Sequence, residues 1–366
     1  MLNEIIAAAA SHFSFEGTPV SGEEMHSGNI NRTYHLICDD RGARHEYILQ
    51  RVSTYVFKEP APMMDNIARV TAHLRQALLA RGENPERRVL EIIPTRENGL
   101  LWFDAEGGCW RAYAFITDAF AYDAVDAAAF YQVGRGFGAF QRLLSDFPAA
   151  ELYESIPDFH NTAKRFGQLD AAIRADTAWR AHEVGAEIAF LLERREKLCA
   201  IVRLIDEGVL PLRVTHNDTK SNNVMLDKKT GEPLCVIDLD TVMPGSSLYD
   251  YGDAIRFGGN TAAEDERDTS KISLDMQKTE AFTRGFIEET NGILSREELR
   301  RLPLGIYAMT GELAARFLTD YLSGDAYWKI SSPDHNLVRS RAQIALLRDI
   351  ERRENDLQRM VDAMIG

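Results

Sequence analysis

A chain of 366 residues, 45% of them apolar and 27% charged, is long enough for two lobes with separate cores. Its 42 Lys and Arg against 56 Asp and Glu leave a formal charge of −14. That balance argues against nucleic acid or an anionic membrane surface as a general partner, but allows a small anionic ligand in a local basic pocket.

The N-terminal MLNEIIAAAASHF is apolar but short. Glu4 stands where a signal peptide would be positive, so the segment reads as a first helix. No run approaches the ~18 apolar residues of a membrane span, and the expected location is the cytoplasm. Tyr34–Cys38 and Tyr47–Val52 read as the strands of a hairpin, with turn chemistry at Asp39-Asp40-Arg41-Gly42. A helix is expected from about residue 62 to 80, with Ile67, Val70, Leu74, Ala77 and Leu78 at helical spacing and Arg81-Gly82 ending it. Strands follow near 89–93, 100–103 and 110–116. In the last, WRAYAFI, Trp110, Tyr113 and Phe115 are read as alternating along the strand, as core or as an adenine wall.

After Thr117-Asp118 the pattern turns helical, over 124–144, as one long helix within 179–206, and over 300–322 and 338–364. Residues 260–273 are polar and acidic and read as a solvated loop. The cysteines at 38, 109, 199 and 235 form no C-x-x-C pair and read as buried free thiols of a reducing cytosol. The expected class is α+β, with a small β-rich nucleotide-binding lobe (1–116) before a larger α-rich catalytic and substrate-binding lobe (117–366). A hinge near 116–119 is a common place for a ligand cleft.

The chemistry concentrates in VTHNDTKSNNVMLD, residues 214–227. His216, Asp218 and Asn223 fit H-x-D-x-x-x-x-N. The apolar Val236-Ile237 then delivers Asp238-Leu239-Asp240. Kinases use these parts in this order, because phosphoryl transfer needs an oriented hydroxyl and a metal to neutralise phosphate charge. Asp218 would accept the hydroxyl proton, His216 would brace the loop, and Lys220 would stabilise the transferred group. Asn223 and Asp238 would offer hard oxygens to Mg²⁺. Asp240 is open between metal and substrate. Asp250 and Asp253 read as capping or bracing the helix that begins there.

HNDTKSNNVM and VIDLDTVMPGSSLYDYGDAIR resemble the aminoglycoside phosphotransferase and choline kinase superfamily. With SGNINRTYHL, ILQRV, WRAYAFI, FGGNTAAED and GELAARFLTDYLSGDAYWKI, the closest resemblance is to the N-acetylhexosamine 1-kinases, over nearly the whole chain. That resemblance implies a protein-kinase-like bilobal fold. It also implies transfer of the ATP γ-phosphoryl group to the anomeric hydroxyl of N-acetylglucosamine or N-acetylgalactosamine. Asp218 matches the base, and Asn223 and Asp238 match the metal ligands. Arg316 and Tyr327 match positions that face the sugar. Read from spacing alone, Glu312, Arg316 and Asp320 make a surface ion-pair ladder.

The segment from Ser27 to Arg32, including Gly28 and Asn31, is expected over the nucleotide phosphates, with Asn29 near the sugar. Gln50 occupies the strand position where kinases carry a phosphate-binding Lys, and Asp65 and Asn66 are the nearest polar residues of the next helix. Lys220, with Arg51 or Arg32, is expected to supply the missing charge. Tyr113 and Phe115 complete the nucleotide-facing set.

Alternatives are a kinase acting on an aminoglycoside, choline or homoserine, and a non-catalytic nucleotide-binding module. A hydrolase lacks a nucleophile motif. A monomer binding a sugar and ATP-Mg²⁺, without nucleic-acid or membrane partner, is expected.

Overall fold

Alternating apolar residues build the first sheet. In the computed structural model, which describes residues 4–25, 30–290 and 292–366, the helix α1 (Glu4–Ala10) leads into strands β1 (Thr18–Met25), β2 (Arg32–Asp40) and β3 (Ala43–Val52). The β2–β3 hairpin pairs Asp40 with Ala43. Arg41 and Gly42 both take positive φ, 53° and 97°, as a two-residue turn matched to strand twist requires. Helix α2 (Pro60–Ala80) follows, then β4 (Ile92–Ile93), β5 (Trp102–Phe103) and β6 (Cys109–Ala114). The antiparallel order is β1-β2-β3-β6-β4, with β5 also on β6.

Each face of this sheet is covered differently. Tyr34, Leu36, Tyr47, Leu49, Trp110 and Ala112 pack with Ile6, Ala9 and Phe13. On the other face, the Tyr113 hydroxyl and Arg111 Nη1 reach Met64 Sδ of α2 at 3.8 and 3.6 Å. Trp110 and Tyr113 therefore do not alternate on one face as expected. Strand period 2 puts residue 110 with 112, and 113 with 111 and 115.

The chain divides into two units. The first takes Met1–Phe120, Glu151–Pro157 and Met225–Met243. Besides the sheet above, it holds the order β10-β9-β7, made by β7 (Ala119–Phe120), β10 (Pro233–Val236) and all but the first residue of β9 (Val224–Asp227).

The second unit, Ala121–Ala150, Asp158–Val224 and Pro244–Gly366, is helical apart from β8 (Arg213–Thr215), part of β11 (Met243–Gly245) and short turns. Its helices are α3 (Ala127–Leu143), α4 (Thr162–Ala175), α5 (Gly185–Leu198), α6 (Ala200–Asp206), α7 (Ser247–Gly258), α8 (Met276–Thr290), α9 (Arg296–Arg300), α10 (Leu302–Leu322), α11 (His335–Arg352) and α12 (Glu354–Ile365). The buried α10 packs on α4, α5, α7 and α11. Its approach to α7 is close enough that a Cβ on Gly252 would lie 2.2 Å from the Gly305 carbonyl oxygen.

Two expected long helices are broken, at Cys199 and at Arg353, whose residues fall between helices. Apolar spacing continues through both breaks and does not report a change of axis. Among the described residues no helix is long and apolar enough to cross a membrane. The thiols of Cys38, Cys109 and Cys235 are buried and free, and burial raises them to about 11, 11 and 12.

Candidate active site

The loop after β8 is fixed from behind by α7. Asp250 accepts the backbone N–H groups of His216 (2.9 Å) and Asn217 (2.8 Å), and the Gln141 amide (2.8 Å). Its backbone carbonyl accepts the Thr219 hydroxyl at 2.7 Å. Asp253 accepts the Thr219 N–H at 3.2 Å and is paired with Arg256. The capping role expected of these acids belongs instead to Ser246, whose hydroxyl accepts from Leu248 N. Burial pushes the Asp250 carboxyl above its ordinary range. Burial acts the same way on Asp253, but Arg256, together with His160 and Lys220, outweighs it and holds that carboxyl low. Arg256 also binds Glu264 at 2.7 Å.

Within this frame, Asp218 N–H donates to His216 Nδ1 at 3.2 Å, and Asn223 Nδ2 donates to the Asp218 carbonyl at 2.8 Å. His216 is fully buried, with the ring edges of Phe137 and Phe140 against it. Lys220 Nζ lies 2.8 Å from Asp218 Oδ1 and 3.2 Å from Oδ2. A partly exposed carboxylate, a paired ammonium and an amide thus project from a backbone that other groups hold.

Further along this unit, Arg316 is not on a surface ladder. Its side chain is only 10% exposed and Glu312 is fully buried. The guanidinium carbon lies 5.1 Å from the Phe159 ring centre and 5.3 Å from that of Trp328. Its ion pair with Glu312 Oε1, at 3.9 Å, is too long for a hydrogen bond. Asp320 is also buried; it accepts the N–H groups of Tyr327 (2.8 Å) and Trp328 (3.1 Å) and so fixes that loop. Tyr327 is 53% exposed. Burial, and then Arg316, hold Arg165 below its usual value, so two guanidiniums lie near each other here.

The first unit carries a second network. Arg111, 1% exposed, pairs with Asp240 and donates through Nε to Gln50 Oε1 at 2.9 Å. Gln50 donates to Thr33 Oγ1 at 3.0 Å. Asn31 Nδ2 donates to Asp240 Oδ2 at 2.7 Å, while its Oδ1 accepts Ser53 N–H at 2.9 Å. Asn66 of α2 donates to the carbonyls of Tyr153 and Val242. Burial alone would lower Arg111; Asp240, then Tyr113 and Asp238, raise it well above its usual value.

Residues 21–282 match the phosphotransferase enzyme family, the APH group. The chain belongs to that family. Among solved structures, it is similar to the microcompartment-associated aminopropanol kinase, at 15% identity over 97% of this chain and 98% of that one, with a TM-score of 0.62. Spectinomycin phosphotransferase, solved with ADP and spectinomycin, matches at 14% identity, 99% and 97% coverage and 0.53. An ethanolamine kinase of Plasmodium vivax matches at 14%, 88% and 82%, and 0.55. At these identities the likeness is one of fold. It is the expected α+β, protein-kinase-like fold, with a β-sheet N-terminal region and a helical C-terminal part.

In this phosphotransferase the expected residues fall into separate groups. His216, Asp218, Lys220 and Asn223 come together on one loop. Arg316 and Tyr327 lie in the same unit, and Gln50, Tyr113, Asp238 and Asp240 in the other. Gly28 and Asn29 lie outside the described residues. Arg32 is exposed. Arg51 lies 3.8 Å from Asp104 and 5.8 Å from the Trp110 ring centre, so it does not share the Gln50 face. Phe115 is half-buried against His35. The buried base beside Gln50 is Arg111, which sequence reasoning passed over. Its signal was parity with Tyr113 along β6.

Proposed function

We propose that this phosphotransferase moves the γ-phosphoryl group of ATP to the anomeric hydroxyl of an N-acetylhexosamine, N-acetylglucosamine or N-acetylgalactosamine, giving ADP and the sugar 1-phosphate. Sequence resemblance suggests the sugar, and Arg316 is the observation that carries it. A nine-tenths buried guanidinium with no hydrogen bond of its own among the described residues, between two rings, calls for a ligand rich in acceptors. Ring hydroxyls and an acetamido carbonyl supply them. Arg165 beside it adds positive charge, which disfavours cationic acceptors such as choline, ethanolamine or an aminoglycoside.

In the reaction the anomeric oxygen bonds to the γ-phosphorus as the bond from that phosphorus to the β–γ bridging oxygen breaks. The hydroxyl proton passes to Asp218. Lys220, already on that carboxylate, faces the transferred charge. Little covalent chemistry is required, so alignment does most of the work. Gln50, Tyr113 and Phe115 are the nucleotide-facing residues of the sheet in this reading. Asn223 commits its amide nitrogen to the Asp218 carbonyl, leaving Oδ1 as a hard donor, and Asp238, which lies near enough to Arg111 to help raise it, offers carboxylate oxygens. Both suit Mg²⁺, which binds few protein oxygens together with nucleotide phosphates and neutralises their charge. They are paired in this role by their sequence spacing.

Phosphorus NMR of products tests the proposal, with ATP, Mg²⁺ and a panel of both N-acetylhexosamines, glucose, galactose, choline and an aminoglycoside. A sugar 1-phosphate resonance with the acetamido sugars is expected. Transfer to choline or the aminoglycoside alone would overturn the substrate. Lys220→Ala is expected to lower kcat by about 10²-fold and to leave KM for ATP nearly unmoved; an unchanged kcat removes Lys220 from the chemistry.

A further inference from the structure

We infer that His160 and Glu312 are positioning residues that couple acceptor binding at Arg316 to the placement of Asp218. The inference rests on the acceptor site proposed above.

The peptide group joining Asn217 to Asp218 is held on both edges. Its N–H donates to His216 Nδ1 at 3.2 Å, and its carbonyl lies 3.4 Å from His160 Nε2. Asn217 itself has φ of 65°, a left-handed conformation uncommon for residues with side chains though more accessible to Asn than to most. With Asn217 N–H on Asp250, rotation of that peptide is the motion that would swing the Asp218 side chain. His160 opposes it from the carbonyl side.

His160 is in turn held by Glu312. Its Nδ1 lies 2.8 Å from Glu312 Oε1, and its ring packs between Phe159 and Tyr249. The Thr162 hydroxyl donates to Glu312 Oε2 at 2.6 Å. Oε1 is also the atom that Arg316 approaches at 3.9 Å. One carboxylate oxygen therefore serves both the guanidinium assigned to the acceptor and the imidazole that holds the loop. Phe159, whose ring faces the Arg316 guanidinium, also packs on His160, tilted by 52° with ring centres 4.4 Å apart. An acceptor that draws on Arg316 changes the electrostatic balance at Oε1, and the change reaches Asp218 through one side chain and one peptide group. This region is fully buried at Glu312, where such interactions are least screened.

A double-mutant cycle of His160→Phe and Arg316→Lys tests the link, reading kcat, KM for ATP and kcat/KM for N-acetylglucosamine. Phe keeps the ring and removes both nitrogens. His160→Phe is expected to lower kcat by ~10²-fold, as a small misplacement of a reacting group does, with KM for ATP little changed. The double variant is expected to retain at least ~5-fold more kcat/KM than the product of the two single losses predicts. Additivity within ~2-fold, or an unchanged kcat in His160→Phe, overturns the inference. If His160→Phe fails to fold, Glu312→Gln takes its place in the same cycle. Should the enzyme use another acceptor of the panel, the sugar assignment falls and the cycle is run with that acceptor. Should it use none, acceptor-free ATP hydrolysis decides: a lowered rate in His160→Phe supports the hold on the loop, and an unchanged rate overturns it.

Discussion

Asp218→Asn is expected to abolish detectable sugar phosphate, lowering kcat by roughly 10³-fold while KM for ATP and the melting temperature stay near their native values. The substitution preserves shape and leaves an amide oxygen for Lys220, which now lies 2.8 Å from Oδ1. It removes only the ability to take the hydroxyl proton. Folding is insulated from the change because the anchors of this loop are Asp250 and Asp253, which hold main-chain N–H groups of residues 216, 217 and 219. Product formation followed by phosphorus NMR, with nucleotide binding by calorimetry, separates the outcomes. A loss below ~10-fold would show that proton removal at residue 218 contributes little.

The second large effect concerns stability. Arg111→Met is expected to cost about 3–5 kcal/mol, because it strands the Asp240 carboxylate in the interior with Asn31 as its remaining side-chain donor among the described residues. The same change leaves Gln50 Oε1 without its donor. Most of the loss should return in the double variant Arg111→Met with Asp240→Leu, since replacing a buried ion pair by apolar residues is often close to neutral whereas breaking one is not. Urea unfolding of the four proteins measures the coupling. A single variant that loses less than ~1 kcal/mol would mean that Asp240 finds another partner or takes up a proton. Arg111→Lys is not a silent control, because an ammonium cannot reproduce the guanidinium's divergent bonds to Gln50 and Asp240.

The hairpin at 32–52 was legible because alternation and the Arg41-Gly42 turn agree. The loop at 214–227 was legible because its polar residues lie between apolar strands. β1, in TPVSGEEM, was not: it lacks a clear apolar alternation, and its pairing with β2 supplies the order. The breaks at Cys199 and Arg353 were invisible to periodicity. Arg111 and Asp240 are 129 positions apart, and a pair formed by tertiary folding leaves no local mark. The surface ladder assigned to Glu312, Arg316 and Asp320 had the correct spacing, but spacing does not distinguish a helix's wet face from a buried one. Here α10 is covered on several sides. Asp250 and Asp253 were placed at a helix start, yet their partners include loop amides over thirty residues upstream.

That attachment through amides has a consequence for how the protein can change. Every residue except proline offers the same N–H, so the carboxylates on α7 grip the loop without regard to most of its side chains. Loop shape and loop chemistry are inherited separately. Substitutions at 218 or 220 can alter what the loop does without unmaking where it sits, and a lineage can try new chemistry there while its scaffold stays intact.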